Sequence, residues 1–188
     1  MTSIIKVNTI QDAGGNALLT SNGSGTFTSN LPNTGITVAQ QWRLSSNLTC
    51  STTNSATLIS SNIEQTDSDG YAGIGSAMSV SSGIFTFPQT GIYSIKVNAE
   101  WYNSSSDYCG IQIHTTVDNS TYTEAQDSYT GVIGSGEYAN SSGDIIFDVT
   151  DTSTHKVKFM YMVAASTTLS GHSSVSKTYF NFTRLGDT

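Results

Sequence analysis

Three histidines, His114, His155 and His172, are the natural place to look for acid–base or metal chemistry, and none has a partner at a useful spacing. No H-x-x-x-H pair occurs and no carboxylate falls where a metal site or a general base needs one, so surface or structural histidines are expected. A nucleophile elbow is missing too. Gly73-Ile74-Gly75-Ser76 and Gly134-Ser135-Gly136 are glycine-rich runs in a chain without helical patterning, and they read as flexible connections. Asp67-Ser68-Asp69-Gly70 opens like a calcium loop, with alternating carboxylates for a hard cation, but Met78 stands where the closing bidentate Glu belongs. The sequence therefore assigns no catalytic residue, no metal ligand and no cofactor, and predicts a protein that is not an enzyme.

Tyrosine offers a softer chemistry. Tyr102, Tyr108, Tyr122, Tyr129 and Tyr138 are interleaved with Asn, Asp, Ser and Gln in what read as middle loops. Aromatic faces stack on sugar rings, and flanking amides and carboxylates bond hydroxyls. Tyr108, Tyr122, Tyr129 and Tyr138 are thus candidate contacts for a host-surface glycan. Packing and subunit contacts are the competing use of the same side chains. The N-x-S/T triplets at Asn22, Asn47, Asn103, Asn119, Asn140 and Asn181 are attributed to chance, because Ser and Thr make up roughly three residues in ten. Cys50 and Cys109 are expected as free, buried thiols ahead of a bridge.

Charge excludes one class of partner. Seven basic against fourteen acidic residues give a net charge of −7, and the basic ones are dispersed, so the chain has no electrostatic grip on nucleic acid. No apolar run is long enough to cross a bilayer. The opening MTSIIKVNTIQDAGG has neither the basic nor the apolar region of an export signal, which implies synthesis in a cytoplasm. A length of 188 residues suits one domain plus an arm.

The elements that position these residues read as strands. In Gly91–Tyr102, Tyr93, Ile95, Val97, Ala99 and Trp101 alternate with Ser94, Lys96, Asn98 and Glu100, the period of a half-buried strand. Pro88-Gln89-Thr90-Gly91 is its turn, with a fixed proline φ and a permissive glycine. Further strands are expected at 36–44, 56–63, 77–80, 83–87, 109–117, 144–149, 156–163 and the C-terminus, where Phe180 and Phe182 point inward; a helical turn at 39–42 is the alternative to a strand there. Turn signals recur every ten or so residues, the rhythm of an all-β sandwich or barrel. On the 156–163 strand, Met160 and Met162 lie opposite Phe159 and Tyr161, leaving an apolar strip that needs cover.

Phe85-Thr86-Phe87-Pro88 with Gly91 and Tyr93 resembles the F-x-x-P-x-x-G-x-Y signature of the C1q/TNF-like jelly roll. The last stretch, Ser176 to Leu185, resembles that family's final strand. The resemblance implies an all-β C1q/TNF-like jelly-roll sandwich that assembles as a homotrimer, with an inner sheet packed round the threefold axis. Cover for Met160 and Met162 is then either this trimer interface or a loop of the same chain. A secreted ligand of the TNF type would need an export route that the N-terminus does not show.

Residues 1–35 differ in character from residues 36–188, which are expected to form the knob. Asp12-Ala13-Gly14-Gly15-Asn16 and Ser21-Asn22-Gly23-Ser24-Gly25 are turns between short strand candidates, a small β meander, and Leu31-Pro32-Asn33-Thr34-Gly35 reads as the linker. The apolar groups Ile4, Ile5, Val7, Ile10, Leu18 and Leu19, with Phe27, are too few to offset the ordering entropy of the segment. They are expected to attach it to something larger. The phrase IKVNTIQDAGGNALLTSNGSGTFT resembles N-terminal segments of structural and fibre proteins of tailed phages, notably marine ones. Together the two resemblances imply a virion structural protein, a trimeric head decoration or fibre knob. Its arm would bind capsid, neck or tail proteins, and its knob would be exposed for host attachment. The alternative is a glycan- or receptor-binding module that uses the tyrosines.

Overall fold

A computed structural model describes residues 7–29, 35–102, 106–132 and 134–188. The chain divides into two compact units, Met1–Gly35 and Ile36–Thr188.

The first unit is a three-stranded antiparallel meander of β1 (Thr9–Gln11), β2 (Ala17–Ser21) and β3 (Phe27–Ser29). Its turns are made by short polar side chains that bond the backbone ahead of them. The Asp12 carboxylate accepts from the amides of Gly14 at 2.9 Å and Asn16 at 2.8 Å. Asn22 Oδ1 accepts from the Ser24 amide at 2.8 Å. Among the described residues of this unit whose side chains are placed, none is buried. The Ile4, Ile5 and Leu31–Thr34 expectations lie outside the described residues.

The second unit is all strand: β4 (Ala39–Leu44), β5 (Ser46–Cys50), β6 (Thr57–Leu58), β7 (Ile63–Gln65), β8 (Ser79–Ser81), β9 (Ile84–Thr86), β10 (Gly91–Tyr102), β11 (Ser106–Thr116), β12 (Thr123–Val132), β13 (Tyr138–Val149), β14 (Lys156–Val163), β15 (Thr167–His172) and β16 (Tyr179–Gly186). They form two sheets. A seven-stranded sheet runs β5-β15-β10-β16-β4-β7 with β13 beside β10, and a six-stranded sheet runs β12-β11-β14-β9-β8 with β6 beside β14. Residues 39–42 extend as β4, with Trp42 paired to Phe180. The single strand expected over 56–63 is divided. β6 joins the six-stranded sheet beside β14, and β7 joins the seven-stranded sheet beside β4. The break falls at Asn62, whose φ of 60° turns the chain from one sheet toward the other.

Between the sheets the F-x-x-P-x-x-G-x-Y segment supplies the centre of the core. Phe85, fully buried, meets Trp42 and Phe159 edge-on at 5.6 and 5.7 Å and Phe182 at 5.0 Å. Phe87 packs on Tyr93 at 4.7 Å. Such pairs add about 0.5–1.5 kcal/mol each beyond the area they bury. The rest of the motif fixes the turn. Tyr93 donates its hydroxyl to the Gln89 carbonyl at 2.9 Å, so the buried phenol reaches back to its own turn. Gly91 has a φ of 142°, and a Cβ there would stand 2.6 Å from the Gly186 carbonyl and against Arg184. Arg184 Nε donates to the Thr90 carbonyl at 2.7 Å, tying the same turn to the C-terminal strand.

Candidate functional site

The fold leaves two broad outward faces, and the sequence-predicted residues divide between them. On the seven-stranded sheet, alternation buries Tyr93, Ile95, Val97, Ala99 and Trp101 of β10, and turns Lys96, Asn98, Glu100 and Tyr102 outward. β13 lies against β10 along its whole length, so Phe147 and Ile145 face in with Tyr93 and Ile95, while Tyr138, Asp144 and Ile146 face out. Ile146 is 63% exposed, Tyr138 58% and Leu185 of β16 54%. The Tyr102 and Tyr138 rings stack at 4.6 Å. Lys177 stands 5.4 Å over Tyr138 and donates to Glu100 at 3.1 Å. Between these apolar positions the face is polar and carries charges of both signs, among them Lys96, Glu100, Asp144 and Lys177, with shallow depressions on either side of Lys96 and Asn181.

Met160 and Met162 are on the other sheet. Both are half-buried on β14, where the strip expected to need cover receives some from its own chain. Leu58 of β6 sits in register beside Met160, and the Tyr129 hydroxyl donates to Met162 Sδ at 3.5 Å. Tyr129 also receives Gln112 Nε2 at 3.2 Å and meets Tyr108 edge-on at 5.7 Å. Tyr108 donates to Asn54 Oδ1 at 2.7 Å. Gly110 makes this possible, because the Tyr129 ring occupies the space a Cβ would fill.

The tyrosines therefore do not form one loop cluster. Tyr102, Tyr108, Tyr129 and Tyr138 lie on strands β10, β11, β12 and β13, as two pairs on different sheets. Tyr122 is apart from both, just before β12, with Lys158 Nζ 4.1 Å over its ring. The sequence missed β12 because TEAQDSYTGV is polar at nearly every position and carries no apolar period; it is an edge strand paired only with β11 among the described residues.

The residues that could have done covalent or metal chemistry are dispersed and locally occupied. Asp67 and Ser68, the start of the calcium-like run, are bonded to Arg43, a fully buried guanidinium that also reaches Glu64 at 2.8 Å and the Ser173 carbonyl. His155 lies between the hydroxyls of Thr150 and Thr154. His172 accepts from the Ser174 amide, and His114 faces Gln112 at 3.1 Å and Glu124 at 3.8 Å. Burial and the nearby Lys158 push the His114 imidazole below its usual range. Among the described residues no group of three or more His, Cys, Asp or Glu is placed to hold a metal ion. Cys50 and Cys109 are free and buried, and burial pushes the Cys50 thiol up to about 12. Asp118, in the β11–β12 turn, is held far below the usual carboxylate range by the Thr121 and Ser120 amides and the Thr116 hydroxyl.

The arm presents its own surface. Register pairs Ile10 with Leu19 and Ser21 with Phe27, which puts Ile10, Leu19 and Phe27 on one face around a shallow concavity with Val7 at its rim. Val7 is 54% exposed, Ile10 47% and Phe27 67%. Leu18 points the other way, with Thr20 and Thr28.

No protein-family model matches the sequence, and no curated protein does. Solved structures do match. Murine APRIL, crystallised at pH 8.0, aligns with a TM-score of 0.57 and 9% identity over 79% of this chain and 98% of its own. The Eiger TNF of S. frugiperda aligns with a TM-score of 0.59 and 10% identity, over 80% of this chain and 94% of its own. Likeness at such identity speaks for the fold, and the chain is an all-β C1q/TNF-like jelly roll.

Proposed function

We propose that this chain is a non-enzymatic structural protein of a tailed-phage virion: a homotrimeric knob, carried on an N-terminal arm that binds the particle and exposed for host attachment. The observation that carries the reading is an uncovered outward face on the seven-stranded sheet of a TNF-like fold, where Tyr138, Ile146 and Leu185 stand in solvent. Such groups suit a contact between copies, and closed threefold symmetry covers identical faces without leaving free ones. We assign the contact to that face in preference to Met160 and Met162, which have some cover from Tyr129 and β6. Support for the virion comes from the resemblance of residues 5–28 to phage structural proteins, and from an arm that buries none of its described side chains. An electron-microscopy map of particles from the phage that encodes the chain tests it. Knob density in threes, with residues 1–35 against capsid, neck or tail, is expected; particles without the protein overturn the virion assignment.

A second reading is favoured by one specific arrangement, the perpendicular Tyr108 and Tyr129 rings beside Met162, with Tyr129 43% exposed. Such a ledge suits the apolar face of a sugar, and the knob would then bind host-surface glycan. Binding on a glycan array that is lost in Tyr129→Ala supports this; a flat array for the intact protein removes it.

A further inference from the structure

The arm is almost without charge. Between Val7 and Ser29 the one ionisable side chain is Asp12, and its carboxylate is taken up in the β1–β2 turn. The meander also has two unlike faces, Ile10, Leu19 and Phe27 on one, and Thr9, Leu18, Thr20 and Thr28 on the other. Identical copies of a neutral apolar face meet without Coulomb repulsion, and such a face has no charge by which a basic or acidic partner could recognise it.

Proximity selects the occupant. Residues 30–35 separate the arm's last strand from the knob, a reach of at most about 20 Å. In a trimer, three arms are carried on one particle. An arm within reach of its sisters meets them intramolecularly, whereas any other partner must be met from solution, and even a weak apolar contact between arms is then favoured. We infer that the Ile10–Leu19–Phe27 face docks on the same face of sister arms, so that the three meanders share one apolar centre and the Leu18 face is left for the particle. This rests on the trimer reading above.

Hydrogen exchange on the full-length protein, at a concentration where its mass is trimeric, tests it together with two single-cysteine additions. Amides of residues 9–29 are expected to exchange about tenfold or more slowly than in a free peptide of the same sequence. Phe27→Cys is expected to form interchain disulfides with oxidised glutathione, and Thr28→Cys, on the polar face, is not. A trimer whose arm exchanges like the free peptide overturns the inference and leaves the trimer intact. So does a protected arm with no Phe27→Cys cross-link, or with equal cross-linking at both positions. A monomer overturns the trimer reading and this inference with it.

Discussion

At the scale of single residues, the two thiols are held out of reach of solvent. Cys50 and Cys109 sit between the sheets at zero exposure, and burial raises both thiols above their ordinary range. A thiol that cannot ionise is neither nucleophile nor metal ligand at neutral pH. Ellman's reagent is therefore expected to find no thiol in the native protein and two after denaturation; rapid native labelling contradicts the burial. The same shift has a pH signature. Below the unfolded value near 9, both states keep the Cys50 proton, and the stabilisation is fully present. Between 9 and about 12 the unfolded chain has released the proton while the folded chain holds it, so stability falls as pH rises. Urea titrations between pH 9 and 11 are expected to show Cys50→Ala losing less stability than the parent, by up to about 1.4 kcal/mol per pH unit. Burial of these two thiols was legible from residue type. The clamp on Arg43 was not, because the 64–68 stretch and Ser173 are brought to it from two distant parts of the chain, and no local spacing announces such a meeting.

Among elements, legibility followed apolar period. β10, β14 and β16 alternate clearly, and each lies where its pattern predicts, with Phe159, Phe180 and Phe182 in the aromatic core. β5, β12 and β15 carry few large apolar groups and take their places through pairing, which a single sequence does not display. The 56–63 run is not one strand because Ser60-Ser61-Asn62 interrupts its apolar residues, and the backbone takes a positive φ at Asn62. Turn chemistry gives a sharper test of the element scale. The β8–β9 hairpin turns at Ser82 and Gly83, whose φ values of 49° and 81° make both central residues left-handed, the conformation that Asn-Gly favours. Ser82→Asn is expected to stabilise the knob by roughly 0.5 kcal/mol. Gly83→Ala meets both a positive φ and the Ile59 carbonyl, and is expected to cost about 2 kcal/mol or more. Chemical denaturation at fixed protein concentration measures both; an unchanged midpoint for Gly83→Ala would rule out this turn.

For the whole molecule, the sandwich and its assembly stand on different footings. The core came through plainly because F-x-x-P-x-x-G-x-Y combines two core rings, a turn glycine and the tyrosine that ties the turn down. The outward face of the seven-stranded sheet did not. Sequence patterning singled out the methionines of β14, where apolar groups fall on both sides of one strand, whereas Ile146 and Tyr138 of β13 are isolated in a polar alternation and become a surface only once β10 and β16 are laid beside them. If that surface is the contact between copies, Ile146→Asp should dissociate the assembly at micromolar concentration, and Met162→Leu should leave it whole. Sedimentation equilibrium on the intact protein and on Ile146→Asp measures the assembly itself. A parent of about 60 kDa, three times the 19.9 kDa chain, and a variant at the chain mass are expected. A parent that sediments as a single chain would contradict a threefold knob.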